Sequence, residues 1–122
     1  MAFMGLLAAL AGCAGGQKEI NRQSSPDGRL VAVLMESVSG EGAGSLHADI
    51  YLNDQGIPLR LDKPVFSGVG CDGLTYAWMN DYTLQIRYQT TCTIAHFTNR
   101  WDRPSNIAAG RPNPIEIELV RG

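Results

Sequence analysis

Few side chains in this sequence do chemistry readily, and their spacing argues against most of it. The cysteines are Cys13, Cys71 and Cys92, and the histidines are His47 and His96. Cys92 and His96 stand four apart, with Cys71 as a further thiol, which is the sharpest metal pattern in the chain. Structural zinc takes four ligands, usually in paired short spacings. There is no Cys-x-x-Cys here, and on a strand Cys92 and His96 would lie well apart, so no metal site is expected. A hydrolytic triad needs a nucleophile, a base and a carboxylate that converge, and no Gly-x-Ser-x-Gly elbow marks a nucleophile. Glu116 and Glu118 share the polar side of one alternating run, where carboxylates are ordinarily just solvated. No catalytic residue and no cofactor are expected. Trp101 stands apart, because Arg100, Asp102 and Arg103 surround it in a proline-containing stretch. Aromatic and arginine side chains are favoured at binding hot spots. Trp101, Arg100 and Arg103 are therefore candidate contacts for a glycan or a protein. The competing reading is Trp101 partly buried against a sheet.

Length and charge narrow the classes. The chain has 122 residues, which is one domain. Ten Lys and Arg stand against twelve Asp and Glu, a net charge of −2, and the arginines are scattered singly. Nucleic-acid binding, which needs a positive patch for phosphates, has no support. Fourteen glycines and six prolines fit a chain rich in turns and poor in helix.

The elements that would position these residues read as strands. Ser25-Pro26-Asp27-Gly28 is a turn: proline presets φ, aspartate bonds amides beyond it, and glycine takes positive φ. Leu30 to Met35 is a continuous apolar run, expected to be a central strand buried on both faces. Ser37 to Ser45 reads as a flexible, glycine-rich hairpin loop. Its Gly40-Glu41-Gly42-Ala43-Gly44 core lacks the Gly-Lys-Ser/Thr ending of a phosphate cradle and precedes a strand, not a helix. Leu46 to Leu52 alternates, with Leu46, Ala48, Ile50 and Leu52 on one face. Asn53 to Gly56 is a turn, and Ile57 to Leu61 is an edge strand or extended segment because of Pro58. Val65-Phe66 can dock on the core. Leu74 to Trp78 and Leu84 to Tyr88 form a hairpin, with Leu74, Tyr76, Trp78, Leu84, Ile86 and Tyr88 on one face. Thr91 to Phe97 continues or restarts a strand, 99–113 is a long loop, and Ile115 to Val120 is the closing strand.

The N-terminus carries a resemblance. Met1 to Ala11 is apolar and uncharged, too short to span a bilayer, which takes about 20 residues. It leads into Leu10-Ala11-Gly12-Cys13, which resembles the lipobox of bacterial lipoproteins. There the signal peptide is cut before the cysteine and palmitate-like acyl chains are attached to it. The resemblance implies that residues 1–12 are a signal peptide and that Cys13 is the lipidated first residue. It also implies outer-membrane sorting in a Gram-negative cell, since Ala14, not Asp, follows. No Lys or Arg precedes the apolar run, which departs from ordinary signal peptides. Residues 13–24 would be the lipidated cysteine and a tether. The eleven residues after Cys13, polar and small apart from Ile20, would reach about 20 Å.

With Cys13 assigned to lipid, Cys71 and Cys92 remain as a pair that flanks the hairpin in an oxidising compartment, and a disulfide is expected. Aligning the two apolar faces puts these cysteines one residue out of step, which a bulge at Asp72-Gly73 would correct. Residues 25–88 further resemble a family of small bacterial lipoproteins and secreted proteins of unknown function. The resemblance rests on the Ser25-Pro26-Asp27-Gly28 turn, the Gly40 to Gly44 loop, and Trp78, Asp81, Thr83 and Leu84.

The expectation is an all-β fold, a small antiparallel sandwich or partly open barrel over residues 25–122, behind the tether. Such a domain would sit lipid-anchored in the cell envelope and bind an envelope protein or glycan without catalysis, presenting loops 39–45 and 99–113. An envelope enzyme or enzyme inhibitor is the alternative.

Overall fold

The computed structural model describes residues 16–38, 46–61, 63–102 and 114–122. They are all-β and form a small sandwich. The strands are β1 (Lys18–Ser24), β2 (Leu30–Val38), β3 (Leu46–Asp54), β4 (Phe66–Val69), β5 (Thr75–Asn80), β6 (Thr83–Tyr88), β7 (Thr93–Phe97), β8 (Arg100–Trp101) and β9 (Ile115–Arg121). One sheet runs β1-β2-β3-β4-β7 and the other β5-β6-β9-β8, so the strands do not close into a barrel.

The continuous apolar run lies where expected, inside its sheet. Leu30, Ala32 and Leu34 face the second sheet, joining Ala48, Ile50, Leu52, Phe66, Tyr76, Leu84, Ile86, Ile115 and Ile117. Val31, Val33 and Met35 face the other way, where Tyr51 packs beside them and Leu59 covers them. The extended 57–61 segment thus has a task that alternation alone could not assign. Each of these large side chains stabilises the fold by roughly 1.5–3 kcal/mol on burial.

Two expectations are corrected. Residues 18–24 are an edge strand, not tether: β1 pairs antiparallel with β2 from Lys18↔Glu36 to Ser24↔Val31. All seven β1 side chains are exposed, so the strand is held by its backbone pairing and a few polar contacts and carries no hydrophobic alternation to betray it. The bulge between Glu19 and Asn21 leaves Ile20 exposed as well. The second correction concerns the closing strand. β9 alternates as expected, but it pairs parallel with β6, Thr83↔Glu116 through Tyr88↔Arg121. The chain leaves β6, visits the first sheet as β7 and returns, which supplies the crossover that parallel strands need. β8 then pairs antiparallel on the other side of β9, so the second sheet is mixed. This also places Arg100 and Trp101 in a short strand, where a loop was expected.

The hairpin keeps its predicted faces: Tyr76 opposes Ile86 and Trp78 opposes Leu84. It docks on β1 through polar contacts. The Trp78 indole Nε1 donates to the Gln23 carbonyl at 2.9 Å, and Gln23 Nε2 donates to the Tyr76 carbonyl at 2.8 Å. Its tip meets the turn between β1 and β2, where Gly28 takes φ 75° and its N–H donates to the Ser25 carbonyl at 2.9 Å. Ser25 is buried, and its Oγ accepts the Leu30 N–H at 3.1 Å.

The sandwich therefore has two distinct ends. One gathers the 25–28 turn, the 54–57 turn, the 80–82 hairpin tip, residues 98–102 and the start of β9. The other gathers the start of β1, the end of β2, the start of β3 and the Cys71–Cys92 disulfide. That disulfide forms as expected, across 21 residues. Its setting differs from a bulged hairpin ladder. Cys71 leads from β4 into β5, and Cys92 leads from β6 into β7. The bond clips together the two places where the chain changes sheets. Asp72-Gly73 is a turn there, with Gly73 at φ 76° and the Leu74 N–H donating to the Cys71 carbonyl at 3.3 Å.

Candidate binding groove

The 25–28 end of the sandwich carries a groove of about 540 Å³, within the size range of ligand clefts. Its floor is core: Leu52 at the end of β3, and Val65, which is 1% exposed. One wall comes from the chain after β3, with Ile57, Arg60, Lys63 and Pro64. Asn53 fixes this wall. It is buried, and its Nδ2 donates to the Ile57 carbonyl at 2.8 Å and to the Asp54 carbonyl at 3.1 Å. The opposite wall is the chain from β7 to β8, with His96, Thr98, Arg100, Trp101 and Asp102. The Thr98 N–H donates to the Val65 carbonyl at 3.0 Å, tying wall to floor. Thr98 Oγ1 donates to the Arg100 carbonyl at 3.0 Å. Trp101 pairs with Ile115 and packs partly buried against the core.

Among the described residues, Arg60, Lys63, Arg100 and His96 line the groove together with the carboxylates of Asp54 and Asp102. Arg100 Nε donates to Asp102 Oδ1 at 3.1 Å. Lys63 is exposed on the wall. The site thus combines an aromatic side, cationic donors and carboxylate acceptors.

Of the residues singled out in the sequence, Arg100 and Trp101 are brought into this groove, and Trp101 is half-buried there. Arg103, Cys13 and the 39–45 loop lie outside the described residues. The strand ends that flank 39–45, Val38 and Leu46, sit at the opposite end from Arg100 and Trp101. The two stretches expected to face one partner therefore start from different ends. His96 lines the groove, while His47 lies on β3 beside Val69. Cys92, four residues before His96, is in the disulfide. Among the described residues, no group of three or more His, Cys, Asp or Glu is placed to hold a metal ion. Also among the described residues, no helix is long and apolar enough to cross a membrane.

Asn53, Asp54, Arg60 and Lys63 were not anticipated as site residues. They lie some forty residues before Trp101 and meet it only through the pairing of β3 with β4 and β4 with β7. The faint signal was two cations between Pro58 and Pro64 in a stretch that could not be an inner strand. No protein-family model, no curated protein and no solved structure matches the chain.

Proposed function

We propose that this chain is a lipid-anchored bacterial lipoprotein, held through Cys13, whose β domain binds an envelope partner in the groove without catalysis. In a cell with two membranes it would stand on the outer membrane and face the periplasm. The anchor reading draws on Leu10-Ala11-Gly12-Cys13. Two or three acyl chains there would hold the protein stably, at about 0.8 kcal/mol per buried CH₂.

The observation that carries the binding reading is the groove's position. β1 starts at Lys18, opposite Glu36, which is opposite Ala48. Asp54 at the groove lies roughly 20 Å further along β3 at the usual rise per residue. From Cys13 to Lys18 the chain spans at most about 18 Å. An anchored domain would therefore rest its disulfide end near the headgroups and hold the groove away from them.

Cys13→Ala tests the anchor by membrane fractionation and by labelling with a palmitate analogue. Loss of label and release from membranes are expected. Unchanged membrane retention would refute the anchor. A second reading, an envelope enzyme or inhibitor, draws on His96, Asp54 and Asp102 lining one groove. Turnover of a test ester or glycoside that His96→Ala abolishes would favour it.

A further inference from the structure

We infer that Asp72-Gly73 is a self-modification site, where the backbone converts to isoaspartate through a cyclic imide, while the fold holds the chain's other Asp-Gly pair, Asp27-Gly28, unreactive. In the first step the Gly73 amide nitrogen bonds to the Asp72 carboxyl carbon. The hydroxyl of the carboxylic acid leaves with the amide proton as water. The five-membered imide then takes up one water. Opening at the side-chain carbonyl restores aspartate. Opening at the main-chain carbonyl leaves the peptide running through the side-chain carbon, with the mass unchanged. Glycine favours closure, because no Cβ obstructs its nitrogen and its backbone turns freely. Closure also needs an amide N–H and a carboxyl group that nothing else holds.

Both pairs lie in exposed turns, so sequence and exposure do not separate them. Hydrogen bonding does. The Leu74 N–H closes the 71–74 turn on the Cys71 carbonyl at 3.3 Å, Gly73 has φ 76°, and Asp72 has no positive φ. These are the marks of a type II turn, in which the glycine's own N–H is not the closing donor. Among the described residues, no hydrogen bond engages the Gly73 N–H or the Asp72 carboxylate. At the other pair the Gly28 N–H is itself the closing donor, to the Ser25 carbonyl at 2.9 Å. Asp27 Oδ1 accepts from Ser25 Oγ at 2.7 Å and from the Arg29 N–H at 3.1 Å, and Asp81 holds the Asp27 N–H. Closure there must first break these bonds, so it waits on local opening.

The position gives the change a consequence. Asp72 directly follows Cys71, where the chain passes from β4 to β5 beside the disulfide. Isoaspartate adds one backbone atom between Cys71 and Leu74, so the hydrogen bond that closes the turn is lost. Cys71 is then held less firmly, and the bond to Cys92 is more open to an attacking thiolate.

The test ages the full chain in mild detergent, folded and in urea, in mildly acidic buffer at physiological temperature. Peptide mapping with electron-transfer fragmentation then tells isoaspartate from aspartate. In the folded chain the peptide carrying Asp72 should gain isoaspartate at least about tenfold faster than the one carrying Asp27, since only the latter must open first. In urea the two rates should converge. Asp72→Glu, at an exposed position, keeps the charge but would have to close a six-membered ring, and should abolish the signal from this site. A small amount of thiol added to a part-aged sample should reduce the isoaspartate chains first. Equal rates at the two pairs in the folded chain would overturn the inference. So would an Asp72 site that converts in urea and stays unchanged when folded, or a signal that persists in Asp72→Glu. Equal reduction of the two forms would overturn the link to the disulfide.

Discussion

The Asp81 carboxylate, at the tip of the β5–β6 hairpin, accepts the backbone N–H of Asp27 at 2.8 Å, 54 residues away in the chain. Asp27 belongs to the β1–β2 turn, and its own Oδ1 accepts from Ser25 Oγ and from the Arg29 N–H. The two sequence patterns that stood out, Ser25-Pro26-Asp27-Gly28 and the Trp78 to Leu84 hairpin, are therefore halves of one contact between sheets. Asp81→Ala should destabilise the fold by about 1 kcal/mol, the ordinary worth of such a bond near solvent. Asp81→Asn, which keeps an acceptor, should recover much of that. Urea midpoints compare the two, and equal midpoints for wild type and Asp81→Ala would show that the contact contributes nothing.

The disulfide closes a 21-residue separation. In the chain-entropy treatment this stabilises by about 3 kcal/mol. Reduction, or Cys71→Ala with Cys92→Ala, should lower the denaturation midpoint accordingly. Intact mass of the untreated protein should be two hydrogens below that of the reduced form.

Gly68 lies under that bond. A Cβ built there would stand 2.5 Å from Cys71 Sγ, 3.0 Å from Cys92 Sγ and 3.2 Å from Phe66 Cε1. Gly68→Ala should cost about 1–3 kcal/mol, as overpacking of a dense site does. The same substitution in the background lacking both cysteines should cost clearly less, because only the Phe66 contact remains tight. Equal costs in the two backgrounds would refute the sulfur clash.

Tyr76 is 5% exposed, and its hydroxyl donates to Asn21 Oδ1 at 2.5 Å, with the Ala32 carbonyl at 3.2 Å. Burial pushes its pKa up to about 12, against about 10 for an unfolded tyrosine. The folded value is the higher one, so the unfolded state gives up its proton first as pH rises. This contribution is whole below about pH 10 and is lost between about 10 and 12, about 2–3 kcal/mol in all. Denaturation midpoints should fall across that range, and Tyr76→Phe should flatten the fall.

Much of this fold was legible where side chains alternate. The even-numbered residues of the hairpin, Leu46 to Leu52, and Ile115 to Val120 announce their faces because water and core impose a period of two. Lys18 to Ser24 was illegible for the complementary reason: its side chains are all exposed, and it is held by backbone pairing and polar contacts such as those of Asn21 and Gln23, which leave no hydrophobic period. The parallel pairing of β9 was hidden too, since alternation shows that a strand is half-buried but not which neighbour it meets or in what direction. For the groove, Trp101 and Arg100 stood out through local composition. Arg60, Lys63 and Asn53 did not, because what makes them site residues is the β3–β4–β7 pairing, and Asn53 acts through backbone carbonyls that carry no sequence signal.

β9 comes last in chain order yet lies inside its sheet, between β6 and β8. Until residues 115–121 have been synthesised, β6 lacks a neighbour on one edge and β8 has none in its sheet. Leu84 and Ile86 also lack Ile115 and Ile117 beside them in the core. A chain growing from its N-terminus thus cannot finish its second sheet early, and long-range pairings of this kind form slowly in any case. If the chain is exported as proposed, by a route that threads unfolded polypeptide, that route would meet no completed native state that had first to be undone.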